Sequence, residues 1–257
     1  GEINAYLRPE TATTTYTNFK NVLDACPHKL PFGIVQIGKS FRNEISPRGF
    51  VFRMREFEQA EMQYFVRPDE DEKYFEMWKK IRMAWWVEVL GIPAEKLRFT
   101  PHEKLAHYAK AAGDIEYEFP DGFDEVEGIH NRQDFDLGSH TKSQNEFKIH
   151  ASVLENHDST AKLAYSDPQT GESFIPYVIE TAMGTNRAMF AVMLDAYTEE
   201  QLPDGKSRVV LKLKPALAPV KAAVIPLARN VPELVTIANN IENDLRKLNI
   251  GRIELEN

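Results

Sequence analysis

Between Gly38 and Met62 the chain reads GKSFRNEISPRGFVFRMREFEQAEM, a run that interleaves four arginines with four glutamates. A guanidinium is a planar fork that donates two parallel hydrogen bonds, which suits it to phosphate. Carboxylates beside it suit an ammonium group. The chemistry on offer is therefore the joint holding of a phosphate-bearing and an amine-bearing substrate. In a strand, residues of equal parity share a face. From Val51 onward one face collects Val51, Arg53, Arg55, Phe57, Gln59, Glu61, Gln63 and Phe65. The other collects Phe52, Met54, Glu56, Glu58, Ala60, Met62 and Tyr64. Upstream, Arg42 and Glu44 share a face opposite Phe41 and Asn43. On the first face the two guanidiniums would take phosphate, Phe57 would stack on a purine and Glu61 would receive an ammonium.

Two long strands, Phe32 to Glu44 and Phe50 to Val66, are predicted to carry these groups, with Ser46-Pro47-Arg48-Gly49 supplying the turn chemistry between them. A helix is predicted from Tyr16 to Leu23, after a loop at Arg8 to Thr11. Pro68 stops the second strand, and a helix follows with Tyr74, Trp78, Ile81, Trp85 and Val89 on one apolar stripe, which reads as core. Pro101 is read as a helix start, carrying Leu105, Tyr108 and Ala112 to a stop at Gly113. Shorter strands are expected at Glu116–Phe119, Val126–His130 and Ile175–Glu180, then a helix from Gly184 with Met189, Phe190, Met193, Leu194 and Tyr197. Beyond a polar connector at Gln201 to Ser207, a strand (Val220–Pro226), a helix (Pro232–Leu248) and a strand (Ile250–Leu255) open a βαβ unit. The expected division is 1–202 and 203–257.

Composition excludes several classes. The length of 257 residues allows one large domain or one and a half. No apolar run approaches the ~18 residues of a membrane span. The single cysteine, Cys26, forbids an internal disulfide and a multi-cysteine zinc site, which fits a reducing compartment. With no basic, apolar-cored leader in the sequence, the expected location is cytoplasmic. A net charge of -8 opposes broad, charge-driven nucleic-acid binding. The charge is uneven, however: from Gln201 onward nine Lys/Arg face six Asp/Glu. His102 and His107 lack i, i+4 spacing and read as surface or core histidines; His130, His140 and His150 lie in or after the Glu125–His140 segment, and their ten-residue spacing suits no single metal site.

Two separated motifs resemble a known family. Arg42-Asn43-Glu44 with Phe52-Arg53-Met54-Arg55-Glu56-Phe57 resembles motif 2 of the class II aminoacyl-tRNA synthetases, and Gly184-Thr185-Asn186-Arg187 resembles their motif 3. LRPETA from Leu7 to Ala12 and EVEGIHNRQDFDLGSH from Glu125 to His140 are similar to the dimeric type of glycyl-tRNA synthetase. KLKPALAPVKAAVIPL is similar to the entry into that family's anticodon-binding domain. The resemblance implies an antiparallel β-sheet flanked by helices, followed by the beginning of an α/β anticodon-binding domain. It implies ATP and glycine as substrates, Mg²⁺ as cofactor, tRNA(Gly) as acceptor and a homodimer.

Carried over by residue, Arg42 would hold the α-phosphate, Glu44 would sit near adenine, Arg53 would reach the terminal phosphates and Phe57 would stack on the base. Arg187 would clamp the triphosphate, and Arg42 and Arg187 would be the catalytic pair. Glu125 would sit by magnesium, with Val126 contributing backbone at the nucleotide. The remaining residues of the ATP set are Asn43, Phe52, Met54, Arg55, Glu56, Gly184, Thr185 and Asn186. For glycine, Glu10, Glu61 and Glu180 would surround the ammonium and Arg132 would lie near the carboxylate. Phe57, Glu58, Gln59, Ala60, Thr181, Ala182, Met183 and Gly184 would line the rest of that subsite. The chain has Thr13-Thr14-Thr15 where the family has Gln-Gly after the same turn, and Thr181-Ala182 where it often has Pro-Ser. No segment matches motif 1. The alternatives are another class II synthetase, which would keep the ATP residues but not the three glutamates, and a non-catalytic paralogue acting as a nucleic-acid accessory protein.

Overall fold

The computed structural model describes residues 5–26, 28–156 and 162–256. The chain divides into two compact units, Gly1–Leu194 and Asp195–Asn257, of whose end residues Gly1 and Asn257 lie outside the described residues.

The first unit is built on a six-stranded sheet, antiparallel at every pairing, in the order β1 (Phe32–Phe41), β2 (Glu56–Val66), β8 (Tyr177–Gly184), β5 (Gly122–Gln133), β4 (Ala111–Phe119), β3 (Leu97–Pro101). Helix α1 (Ala12–Ala25) is followed by β1 (Phe32–Phe41) and β2 (Glu56–Val66), then α2 (Asp71–Glu88) and β3 (Leu97–Pro101). Next come β4 (Ala111–Phe119), β5 (Gly122–Gln133), the short α3 (Phe135–Ser139) and a small ladder of β6 (Tyr165–Ser166) with β7 (Ser173–Phe174). Strand β8 (Tyr177–Gly184) runs straight into α4 (Thr185–Ala196).

Alternation gives the sheet two different faces. One is backed by α2, where Tyr64 stacks edge-on with Tyr74 and Trp78 and where Trp86 is fully buried. Burying a side chain of that size removes enough apolar surface to stabilise the fold by about 2–3 kcal/mol. Glu127 points to this face as well, and Arg82 and the Trp86 indole satisfy it. At one end of the opposite face, α1 packs Phe19 on Phe65 and donates the Tyr16 hydroxyl to Gln63 at 2.7 Å. The remainder of that face is the floor of a cleft.

Several sequence expectations fail; the first long strand ends at Phe41, so Arg42 to Glu44 lie beyond it. The second long strand starts at Glu56, not Phe50. Gly49 and Phe50 both adopt positive φ, and a bridge between Arg48 and Arg53 closes a small turn of its own. Arg53 and Arg55 therefore lie on a loop and share no strand face with Glu61. Pro101 ends a strand: β3 is the sheet's outer strand, where a residue without an N–H costs no ladder bond, and Ala111 and Ala112 open β4. On α2 the expected stripe holds only in part: Tyr74 is buried and Trp78 and Trp85 pack against the core, but Phe75 and Trp86 are buried as well, while Ile81 and Val89 are exposed.

In the second unit, the expected connector at Gln201 to Ser207 is the end of a hairpin. It joins β9 (Tyr197–Gln201) and β10 (Ser207–Leu211). Parallel strands β11 (Val220–Val224) and β12 (Arg252–Leu255), linked through α5 (Pro232–Lys247), form the expected βαβ unit. Pro232 sits in the first turn of α5, where its missing N–H has no helical partner to lose. Among the described residues no helix is long and apolar enough to cross a membrane.

Candidate active site

Register across the sheet dictates what the cleft contains. Glu61 of β2 lies opposite Ala182 of β8, which lies opposite Gly128 of β5. One row along, Gln63, Glu180 and His130 are aligned in the same way. In the other direction Gln59 faces Gly184. Three strands thus send Gln59, Glu61, Glu180 and His130 to one face, over a floor of the small residues Ala182, Gly128 and Gly184. The space above them is a cleft of about 200 Å³.

At the end nearest α1 three carboxylates converge. Glu180 is fully enclosed, with Gln63 donating to it at 2.7 Å and Arg132 at 3.1 and 3.2 Å. Burial opposes its charge, but Arg132, with help from His130 and Gln63, holds the carboxyl well below the usual range. Arg132 spends its other nitrogens on both oxygens of Asp136, at 2.8 and 2.9 Å, and lies 4.3 Å from the centre of the Tyr108 ring. Glu61 has no such cation. It accepts from the Thr11 hydroxyl at 2.5 Å, and burial together with the nearby Glu180 pushes it up to about 7. Glu10, from the loop before α1, is also raised, chiefly by burial and against the pull of Arg132.

Two further arginines line the cleft. The Arg42 Nε donates to the Pro9 carbonyl at 3.2 Å, and its guanidinium lies 5.1 Å from the centre of the Phe57 ring. Arg187 donates to the Glu125 and Phe52 carbonyls at 2.8 and 3.0 Å and approaches the Glu125 carboxylate at 3.3 Å. The turn from β8 into α4 is locked onto β2: Thr185 donates to the Glu58 carbonyl at 2.9 Å, and the Glu58 N–H donates to Asn186 at 3.0 Å. These two bonds hold β2 and the β8–α4 turn in register.

Of the residues expected from sequence, Glu10, Arg42, Glu44, Phe52, Met54, Phe57, Glu58, Gln59, Glu61, Glu125, Val126, Arg132, Glu180, Ala182, Gly184, Asn186 and Arg187 line the cleft. Asn43, Arg53, Arg55, Glu56, Ala60, Thr181, Met183 and Thr185 stand off its wall. Ala60, Thr181 and Met183 have the wrong strand parity. Arg53 lies out on the loop, 3.9 Å from Glu44, and Arg55 bonds the Glu44 carbonyl. Val51, Tyr108, Gly128 and His130 also line the cleft, none of them having been given a site role. The His130 Nδ1 lies 3.1 Å from Glu180, off the hydrogen-bond axis, and His102, 6.0 Å from it ring to ring, bonds Asp114 at 2.7 Å. Burial lowers the His130 pKa, but Glu180 outweighs it and leaves the pKa raised. The period-two signal over Val126–His130 pointed His130 to the same face as Gly128. Its partners Glu180 and Asp114, on other strands, could not be read locally.

A divalent cation finds few protein ligands here: among the described residues no three His, Cys, Asp or Glu side chains cluster as a metal site. Glu125 nonetheless offers a half-exposed carboxylate beside Arg187. One carboxylate plus substrate phosphates is a normal Mg²⁺ ligand set, so the residues fit that ion.

Comparison with known proteins agrees with this geometry. Residues 1–197 match the family model described as the tRNA synthetase class II core domain (G, H, P, S and T). The chain is 56% identical over 254 residues to a glycine–tRNA ligase of Thermus thermophilus, covering 98% of this chain and 50% of that protein. It is 52% identical over 258 residues to one from Deinococcus radiodurans, covering 99% and 51%. With one from Borreliella burgdorferi it is 50% identical over 242 residues, covering 93% and 51%. The chain thus spans about half the length of the curated relatives it matches. With the sheet, the two motifs in contact through Glu58 and a family match over most of its length, the chain belongs to the class II tRNA synthetase core-domain family.

Proposed function

We propose that this chain activates glycine as the catalytic part of a glycine–tRNA ligase. The observation that carries the reading is one cleft lined by both kinds of charge: Glu10, Glu61 and Glu180 over a floor of Ala182 and Gly128, together with Arg42 and Arg187. The carboxylates suit an ammonium, and the arginines suit phosphates.

Glycine has no side chain to grip, so selectivity has to come from its charges and from exclusion of larger amino acids. Attraction alone is a weak discriminator, since one extra methylene is worth only ~1–3 kcal/mol. With Glu180 already paired to Arg132, Glu61 and Glu10 are the carboxylates left to receive the ammonium. The glycine carboxylate would then attack the α-phosphorus of ATP in line, forming the mixed anhydride and expelling pyrophosphate. A terminal hydroxyl of tRNA(Gly) would next attack the activated carbonyl and release AMP. No protein nucleophile is required. Arg42 and Arg187 would hold phosphate oxygens as charge redistributes, and such preorganised donors are the main source of acceleration in phosphoryl chemistry. Phe57, already facing Arg42, would stack on adenine. Glu125 with the phosphates would hold Mg²⁺, which when bound supplies further neutralisation of phosphate charge. A homodimer and a cytoplasmic setting complete the reading.

The test is ATP–pyrophosphate exchange with a panel of amino acids. Exchange dependent on glycine, and at least a hundredfold weaker with alanine or serine, is the expected result. Exchange with a different amino acid would transfer the chain to another class II specificity. A folded chain that exchanges with none would be a non-catalytic paralogue.

A further inference from the structure

We infer that Thr11 is a positioning residue for the amino-acid substrate, holding the Glu61 carboxylate at the angle and depth from which it meets an ammonium. The inference deepens the reading above and rests on it. Thr11 is fully buried at the head of α1, and its hydroxyl donates to the Glu61 Oε2 at 2.5 Å, across 50 residues of sequence. It occupies the N-cap position, where a threonine side chain ordinarily bonds its own helix's free N–H groups. Here it makes no such bond. The hydroxyl is given over to Glu61 instead.

The segment bearing Thr11 is pinned from the other side. Arg8 donates to the Lys39 carbonyl at 2.8 Å, the Phe41 N–H donates to the Arg8 carbonyl at 2.9 Å and Arg42 holds the Pro9 carbonyl. Thr11 is thus tied through the backbone to the end of β1, and its hydroxyl transfers that position to Glu61. Glu61 needs such a device because Glu10 and Glu180 both crowd it with negative charge and Arg132 is directed at Glu180 and Asp136. Without the bond, a carboxylate flanked by two others would turn away or protonate, and its usefulness to an ammonium would fall. The Thr11 hydroxyl would not touch glycine or ATP.

The experiment compares Thr11→Val, Thr11→Ser, Thr11→Ala and Glu61→Gln with the unmodified chain in pyrophosphate exchange, after thermal melting shows which are folded. Valine keeps the shape and removes the hydroxyl. Losing a hydrogen bond to a charged group should raise the glycine KM about tenfold or more, with the ATP KM within about twofold. Serine restores the hydroxyl and should bring the glycine KM back to within about threefold. If the valine variant does not fold, alanine takes its place with the same expectation. A raised glycine KM in Glu61→Gln with no change in Thr11→Val would overturn the inference alone. Serine as damaging as valine would overturn it too, leaving the methyl group's packing as the cause. No change in Glu61→Gln would overturn the glycine reading of the cleft and this inference together.

Discussion

Three carboxylates within one cleft cannot all be ionised at low cost, and the structure divides the load among them. Glu180 keeps its charge through Arg132, whereas Glu61 is held up to about 7 by burial and by its neighbours. An arriving ammonium favours the ionised form, so glycine binding should expel a proton wherever Glu61 is protonated beforehand. The apparent glycine KM, measured at saturating ATP, should therefore fall as pH rises from 5.5 to 7.5, and Glu61→Gln should flatten that dependence. A slope that survives the substitution would assign it elsewhere. For stability the sign is opposite. A carboxyl raised in the folded state binds more protons there than when unfolded, so its contribution is lost as pH rises through the window from 4.5 to about 7. Among the arginines, Arg187→Ala should cost roughly 2–4 kcal/mol of transition-state stabilisation, the scale of losing one preorganised donor. Unchanged exchange rates would remove Arg187 from the mechanism. Residues of this kind were legible because they sit in short motifs: Arg42, Glu61 and Arg187 all reach the cleft. His130 was not, because what makes it notable is contact with Glu180 and proximity to His102, brought together by pairing between distant strands.

Alternation of residue types survives in the sequence whether or not the backbone is a strand, and β2 shows the consequence. The pattern from Val51 continues without a break into Glu56, yet Gly49 and Phe50 at positive φ and the Arg48–Arg53 bridge keep the first part in a turn. The parity from Phe57 to Phe65 was right, and it correctly grouped Phe57, Gln59 and Glu61. The same rule misplaced Arg53 and Arg55. Pro101 was misread because a proline at a helix start and one on an outer strand look alike until the neighbouring strand is known. The join between β2 and the β8–α4 turn was also hidden, since it consists of two side chains bonding the backbone of Glu58. Thr185→Val and Asn186→Ala each remove one of these bonds and should each lower stability by about 1–2 kcal/mol in denaturant unfolding. Because β2 carries groups proposed for both substrates, KM should rise for ATP and glycine together. A rise confined to ATP would mean that Asn186 acts directly on the nucleotide.

At the scale of the whole molecule the proposed division of labour follows the division into units. Every residue assigned here to ATP or glycine lies at or before Arg187, inside the first unit, which has its own buried clusters beneath both faces of the sheet. The second unit has the excess of basic residues from Gln201 onward and an independent βαβ ladder. Activation and tRNA charging should therefore separate on truncation. A chain ending at Ala196 keeps α4 whole and removes the β9–β10 hairpin and all that follows. We predict that it melts cooperatively and retains glycine-dependent pyrophosphate exchange to within about threefold of the full chain, since no chemistry-bearing group has been removed. Charging of tRNA(Gly) should fall by far more, because the basic segment that resembles the entry to an anticodon-binding domain is gone and phosphate contacts dominate such binding. Loss of exchange in a folded truncation would mean that the second unit contributes to activation, and equal charging by both chains would remove tRNA binding from it.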